Sequence, residues 1–270
     1  MLPCAAVRVL ALDFDGVICD SASEAFRVTA ETFASVFPEY ALPPRAGDDA
    51  RLYAQFLEAM PLGNRAEDYA VLLAAIVREA RLPDQAAYDA FRASLAPERL
   101  RAFHKQFYRV RAAWAERDPR GWLAQMQPYP GLCELLRRRA GDVRLAIATA
   151  KDRGSVRKLL AAYGVAELFE DGFVLDKEAG EKKREHVTKL AAQAGCALAE
   201  VTFVDDKVNH LEDVAALGAR CVLAGWGYNG PRERRIAEAR GFLVCGLDDF
   251  ERQVFGRPAG GAPERSAGPR

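Results

Sequence analysis

The sequence predicts an open α/β fold, a doubly wound parallel sheet with an all-helical insertion directly after its first strand. Three features of the chain point there. Short apolar runs alternate with helical patterns through the second half, and such alternation builds a parallel sheet covered on both faces. One strand-like run, "VRVLALDF" (7–14), stands alone near the start. Between it and the next lie roughly a hundred residues of helical periodicity, far more than the dozen or so that a crossover connection needs.

The elements follow in order. From about residue 21 to 125 the apolar residues recur at helical spacing: Phe26, Ala30, Phe33 and Phe37, then Leu73, Ile76, Val77 and Ala80. Leu100, Phe103, Phe107, Val110 and Trp114 make the clearest stripe, and Arg101, Lys105 and Arg109 opposite read as its solvated face. "VRLAIAT" (143–149) is the next strand, followed by the helix "RGSVRKLLAAYG", with Val156, Leu159, Leu160 and Tyr163 on one face and Gly164 as its stop. "GFVLD" (172–176) precedes the helix "KKREHVTKLAAQAG", which Lys182 and Lys183 open. "VTFVD" (201–205) precedes "KVNHLEDVAALG", with Val208, Leu211 and Val214 inward and Gly218 as the stop; "RCVLAG" (220–225) and "FLVC" (242–245) complete the strands. The chain therefore divides into a sheet-bearing core, 1–20 with 126–256, a helical unit, 21–125, and a Gly- and Pro-rich tail, 257–270, expected to be disordered. There is no internal repeat.

Composition narrows the function. The 38 basic residues balance 38 acidic ones, which leaves no electrostatic footprint for nucleic acid and no polybasic patch for a membrane. The six cysteines are scattered without metal-like spacing, as expected of a reduced cytoplasmic protein. Arg8 interrupts the apolar run at the start, so that run reads as a strand and not a signal peptide. No segment has the length and apolarity of a membrane helix.

Four polar sets sit at strand ends or helix starts. Asp13 and Asp15 end the first strand, Thr149 with Ala150 ends the second, Lys182 and Lys183 open a helix, and Asp205 and Asp206 end "VTFVD". An Asp-Gly turn would account for Asp15 alone. Ligands in open parallel sheets, however, bind outside the carboxyl ends of the strands, so the four sets converge on one crevice. Crowded carboxylates need a cation, and hard oxygen donors suit magnesium. A threonine hydroxyl and a lysine ammonium beside them would hold the oxygens of a phosphoryl group, with a carboxylate available as nucleophile. Lys151 reads as a rim residue. His104, His186 and His210 form no metal-binding pattern and read as surface or helix-packing residues, and no cysteine has a partner that would mark it as a nucleophile.

"DFDGVICDS" resembles the first motif of the haloacid dehalogenase-like superfamily, in its phosphatase-type branch with D-x-D-G. Thr149, Lys183 and Asp205-Asp206 match the second, third and fourth motifs in order, though the Lys-Pro of many relatives is missing. "IATAKDR" is similar to a segment of phosphoglycolate phosphatase-like members, and "VLAGWGYNG" to their fifth-strand segment. The helical insertion matches the family's α-helical cap. The resemblance covers residues 7 to about 256 and implies a Rossmann-like core and a Mg2+-dependent phosphoric monoester hydrolase. Asp13 would attack phosphorus, while Asp15 protonates the leaving alcohol and then activates water. The metal would be held by the Asp13 carboxylate, the Asp15 backbone carbonyl, Asp205 and Asp206. Thr149 and the lysine, Lys183 or the adjacent Lys182, would bind phosphate oxygens; backbone N–H groups of Phe14 and Asp15 contribute, with Ala150 beside them.

Within the resemblance, a sugar-phosphate mutase (of the β-phosphoglucomutase-like group) is the alternative. Ala25 stands where such a mutase has a histidine, which favours hydrolysis. Dehalogenation needs no acid at the Asp15 position, and phosphonate hydrolysis would need a cap lysine, where this cap has only Lys105. A receiver-like signalling module ranks lower because the acidic pair comes late and a helical insert intervenes, and a silent phosphate-binding protein because Asp13 and Asp15 are retained. The expected partner is a small phosphorylated metabolite, with no nucleic acid and no membrane, for a monomer or homodimer.

Overall fold

The computed structural model describes residues 7–63, 65–180 and 182–256; the tail from 257 lies outside them. The chain opens with β1 (Val9–Leu12) and the short β2 (Cys19–Asp20). Six helices follow: α1 (Ala22–Val36), α2 (Ala50–Ala59), α3 (Ala66–Val77), α4 (Gln85–Ala93), α5 (Pro97–Arg117) and α6 (Pro119–Ala124). Then come β3 (Gln127–Pro128), α7 (Leu132–Arg139), β4 (Arg144–Ala148), α8 (Arg153–Ala162) and β5 (Val174–Leu175). The chain continues through α9 (Lys183–Ala194), β6 (Val201–Asp205), α10 (Val208–Ala215), β7 (Arg220–Ala224), α11 (Pro231–Ala239), β8 (Leu243–Cys245) and α12 (Leu247–Phe255).

Six strands form one parallel sheet in the order β5-β4-β1-β6-β7-β8. The first strand in sequence is thus central, between β4 and β6, in the register Val9↔Arg144 and Val9↔Val201. A strand buried on both faces is apolar throughout, and β1 shows why "VLAL" has no polar alternation. Leu10 and Leu12 pack with α7, α8 and α12 through Leu136, Leu159 and Phe250. Val9 and Ala11 face the other way, toward Val187 and Leu190 of α9 and Leu211 and Val214 of α10. Helices therefore cover both faces, as the strand–helix alternation requires.

Five of the six helices between β2 and β3 share a core of their own, while Trp122 of α6 packs into the sheet's core instead. Phe26 and Phe33 of α1, Phe56 of α2, Leu72 of α3 and Phe103 and Phe107 of α5 are buried together. Pro97 starts α5 at a position where its missing N–H costs nothing, and the stripe Leu100, Phe103, Phe107 and Val110 is buried while Arg101, Lys105 and Arg109 are exposed. The apolar group Leu73, Ile76, Val77 and Ala80 differs from expectation. α3 stops at Val77, Glu79 adopts a left-handed φ of 54°, and Ala80 falls beyond the helix.

The two connections into and out of this helical layer are themselves paired: β2 and β3 form an antiparallel ladder, Cys19↔Pro128 and Asp20↔Gln127. A two-residue ladder has no hydrophobic periodicity to announce it, and the sequence did not. It places the entry and exit of the helices side by side, directly after the turn that carries Asp13 and Asp15.

Candidate active site

β1 delivers the first acid. Hydrogen bonding continues one residue past the strand, with the Asp13 N–H donating to the Val204 carbonyl at 2.9 Å, so the sheet fixes the Asp13 backbone. Its side chain is nearly buried and accepts the Phe14 N–H at 2.7 Å. The chain then turns tightly, the Phe14 carbonyl accepting the N–H groups of Ile18 and Cys19 at 2.9 Å each. Gly16 has φ +79°, and a Cβ there would lie 2.5 Å from Asp206 Oδ2. Only glycine allows that backbone and that approach.

β4 and α9 add the cations. Lys183, the first residue of α9, is buried; its Nζ donates to the Ala148 carbonyl at 2.7 Å and lies 2.8 Å from Asp13 Oδ1 and 3.3 Å from Asp205 Oδ2. Lys182 is the exposed N-cap of the same helix. The geometry therefore separates two lysines that adjacent sequence positions could not. Thr149 is buried at the end of β4, its Oγ1 accepting the Lys151 N–H at 3.1 Å, and Ala150 beside it is exposed.

β6 ends in the late acids, both buried. Asp205 turns to Lys183 and to His210, whose Nδ1 is 3.1 Å from both carboxylate oxygens. Asp206 turns the other way and accepts the Tyr228 N–H at 2.8 Å. The loop bearing Tyr228 comes so near that a Cβ on Gly227 would lie 2.4 Å from Asp206 Cβ and 2.2 Å from the Gly16 carbonyl.

A cavity of about 440 Å³ lies between this end of the sheet and the helical layer. Asp15, Ala150, Lys151, Lys182 and Lys183 line it from the core, and Tyr69, Tyr108 and Arg111 from the helices. Asp13, Thr149, Asp205 and Asp206 are buried and outside its wall.

Two readings change. Lys151 is not at the rim: only 3% of it is exposed, because its Nζ turns inward to Asp15 Oδ1 at 2.9 Å. His210 is not a mere surface or packing residue, since the first turn of α10 brings it back onto Asp205. Its signal was its position in the first helical turn after an acid pair, and that of Lys151 its place two residues after Thr149. His104 pairs with Glu67 at 2.6 Å and lines the cavity, while His186 is buried in α9.

The charges are strongly coupled. Burial raises the Asp13 carboxyl above its ordinary value, against the pull of Lys183. Burial likewise holds Asp206 well above the carboxylate range, with Asp205 and Asp13 adding to it against Lys207. Asp205 goes the other way: His210 and Lys183 outweigh its burial and keep it ionised. Burial would raise Asp15 too, but Lys151 lowers it overall. Atoms of Asp13, Asp205 and His210 fall within 4.8 Å of one another. The Lys183 ammonium occupies the side between Asp13 and Asp205. The carboxylate oxygens of Asp13 and Asp205 are hard donors that fit magnesium, with His210 the third member of the group.

The profile of the haloacid dehalogenase-like hydrolases matches residues 7–218, and the chain belongs to that family. Among solved structures, it is similar to a protein from Haemophilus somnus described as a predicted phosphoglycolate phosphatase: TM-score 0.64, 20% identity, 92% of this chain and 98% of that one. A haloacid dehalogenase-like hydrolase from Streptococcus pneumoniae also gives 0.64, at 14% identity, covering 93% and 99%. At these identities the likeness is one of fold. Curated relatives in Mycobacterium tuberculosis and Mycobacterium bovis, named tyrosine-protein kinase PtkA, are 32% identical over 117 residues. That match spans 42% of this chain and 40% of the relative's length.

Proposed function

We propose that this hydrolase cleaves small phosphomonoesters through an aspartyl-phosphate. The observation that carries the reading is the placing of Asp13 and Asp15 on one strand end, the first against the Lys183 ammonium at 2.8 Å and the second in the cavity wall with Lys151 at 2.9 Å. An Asp13 oxygen forms a bond to phosphorus as the ester P–O bond breaks, and Asp15 gives its proton to the departing alkoxide oxygen. In the second half Asp15 takes a proton from water as that water attacks the phosphorus, releasing phosphate and restoring Asp13. Lys151 keeps Asp15 ionised in the free site, the form the second half needs. An arriving phosphoryl dianion raises its pKa and so favours the protonated form for the first half.

Thr149 and Lys183 would hold phosphoryl oxygens, with Phe14, Asp15 and Ala150 supplying the backbone around them. Asp13, the Asp15 carbonyl, Asp206 and, across Lys183, Asp205 would hold magnesium, which when bound offsets the charge gathering on the phosphoryl oxygens. Because the nucleophile lies outside the cavity wall, substrate entry calls for the helical layer to act as a moving cap, with core 1–20 and 126–256 and cap 21–125 as the two bodies. We place the reaction in the cytoplasm, in keeping with cysteines that are free among the described residues. Among those residues no helix is long and apolar enough to cross a membrane.

Acid quenching of Asp15→Asn during turnover, followed by peptide mass spectrometry, should show phosphate on the peptide carrying Asp13. Chelation should abolish turnover, and full activity in chelator, or no acyl phosphate, would remove this reading. The mycobacterial relatives' name supports a second reading, transfer of the same phosphoryl group to a tyrosine hydroxyl. Label passing from ATP to a tyrosine, and not to water, would favour it.

A further inference from the structure

Arg111, in the roof of the cavity, is a buried charged group that the proposed reaction does not use. Arg111 of α5 is buried, its side chain 11% exposed, and it lines the cavity with Asp15. Nε and Nη2 form a fork on Glu24 of α1, at 2.6 and 2.8 Å, and Glu24 also accepts the Trp122 indole N–H at 3.2 Å. The guanidinium lies over the Phe107 ring at 4.7 Å. One edge is thus clamped, and among the described residues Nη1 has no hydrogen-bond partner. A planar donor held on two sides and open on a third loses little freedom when it binds an oxyanion.

The neighbouring charge agrees. Lys177, held over the Tyr108 ring at 4.5 Å, and Lys182 line the same cavity, and the only carboxylates in its wall among the described residues are Asp15 and Asp213. Asp213 is engaged by Arg184 and Asp15 by Lys151. Glu24 neutralises Arg111, so Arg111 supplies aimed donors and Lys177 the net charge.

We propose that Arg111 is a specificity-determining residue that receives a second oxyanion, a carboxylate or phosphate, at the non-reacting end of the substrate. The proposal rests on the phosphatase reading for the other end of the molecule. Its test is equilibrium binding, with magnesium present, of 3-phosphonopropionate, propane-1,3-bisphosphonate and propylphosphonate, which share an uncleaved phosphonate head that mimics the reacting phosphoryl group and differ in the tail. At least one charged-tail ligand should bind about tenfold or more tighter than the neutral one, the factor that one charge-assisted contact supplies. Glu24→Gln/Arg111→Met, which removes both buried charges together, should cut that ratio below about threefold; Arg111→Lys, which keeps the charge without the fork, should retain part of it.

The carboxylate and phosphate arms identify which oxyanion is taken. Equal affinities in the wild type, or a preference that survives in a double variant with a normal melting transition, would make the Glu24–Arg111 pair a structural strut and overturn the assignment. Turnover of p-nitrophenyl phosphate, measured separately, keeps the two readings apart. No turnover with the preference intact sinks the phosphatase reading and supports Arg111.

Discussion

Asp13 and Asp15 are one residue apart, and the physics of the site treats them oppositely. Asp13 is buried against Lys183, while Asp15 faces the cavity with Lys151 on it. General acid catalysis matters most when the leaving alkoxide is basic. We expect Asp15→Asn to lose about 10²–10⁴-fold with alkyl phosphates and markedly less with phosphates of acidic phenols; equal losses in both would show that Asp15 is not the proton donor. His186 gives a second residue-level expectation. Burial, reinforced by Lys183, lowers its imidazole from 6.5 to about 4. Between those values the unfolded chain holds the extra proton, so the stability is present in full above pH 6.5 and is lost as pH falls toward about 4. Denaturant unfolding should show His186→Leu losing less stability between neutral pH and pH 5 than the wild type, by on the order of 1–2 kcal/mol.

At the scale of elements, the site is assembled by strand ends and by two close loops. Asp206 is held where the turn after β1 meets the loop after β7, and both loops approach it through glycine. Gly227→Ala would set a Cβ against the Gly16 carbonyl and Asp206 Cβ, at 2.2 and 2.4 Å. Backbone and the root of a side chain cannot rotate away, so one loop must shift. We expect a loss of about 1–3 kcal/mol in thermal or denaturant melts, together with weaker magnesium binding by calorimetry. An alanine variant with unchanged metal affinity would mean that Asp206 is not a ligand.

Over the whole molecule, polar contacts join the helical layer to the sheet's loops, beside the apolar packing of Trp122 into the sheet's core. Lys207, next to the late acids, donates its Nζ to the Met60 carbonyl at 2.6 Å, and Arg232 donates to the Pro83 carbonyl at 2.8 Å. The β2–β3 pair is where the layer joins the core. A cap that opens there would break these contacts and bring water to Asp13. Magnesium with a metal fluoride mimic of the phosphoryl group should favour the closed state, because closure completes the site. Hydrogen exchange should then slow at residues 19–21 and at Gln127. If ligand leaves those positions unchanged and the helices exchange together with the sheet, the layer is not a moving cap.

Much of this protein was legible in the chain because local physics writes it there. Continuous apolar runs such as "VLAL" announce a buried parallel strand, the Phe103, Phe107 and Val110 stripe announces an amphipathic helix, and polar residues at strand ends and a helix start mark the end of the sheet where Asp13, Lys183 and Asp205 meet. Periodicity says which face of an element is buried, but not what that face meets. Tertiary structure alone chose Lys183 over Lys182, because only the orientation of α9 toward β1 and β6 decides which of two adjacent lysines points inward. It alone brought Lys151 inward, folded His210 onto Asp205 and aimed Arg111 at the cavity. Each of those placements depends on a partner distant in sequence or across a turn, and the energy that fixes it, a buried charge meeting its counter-charge, exists only once the chain has closed around both.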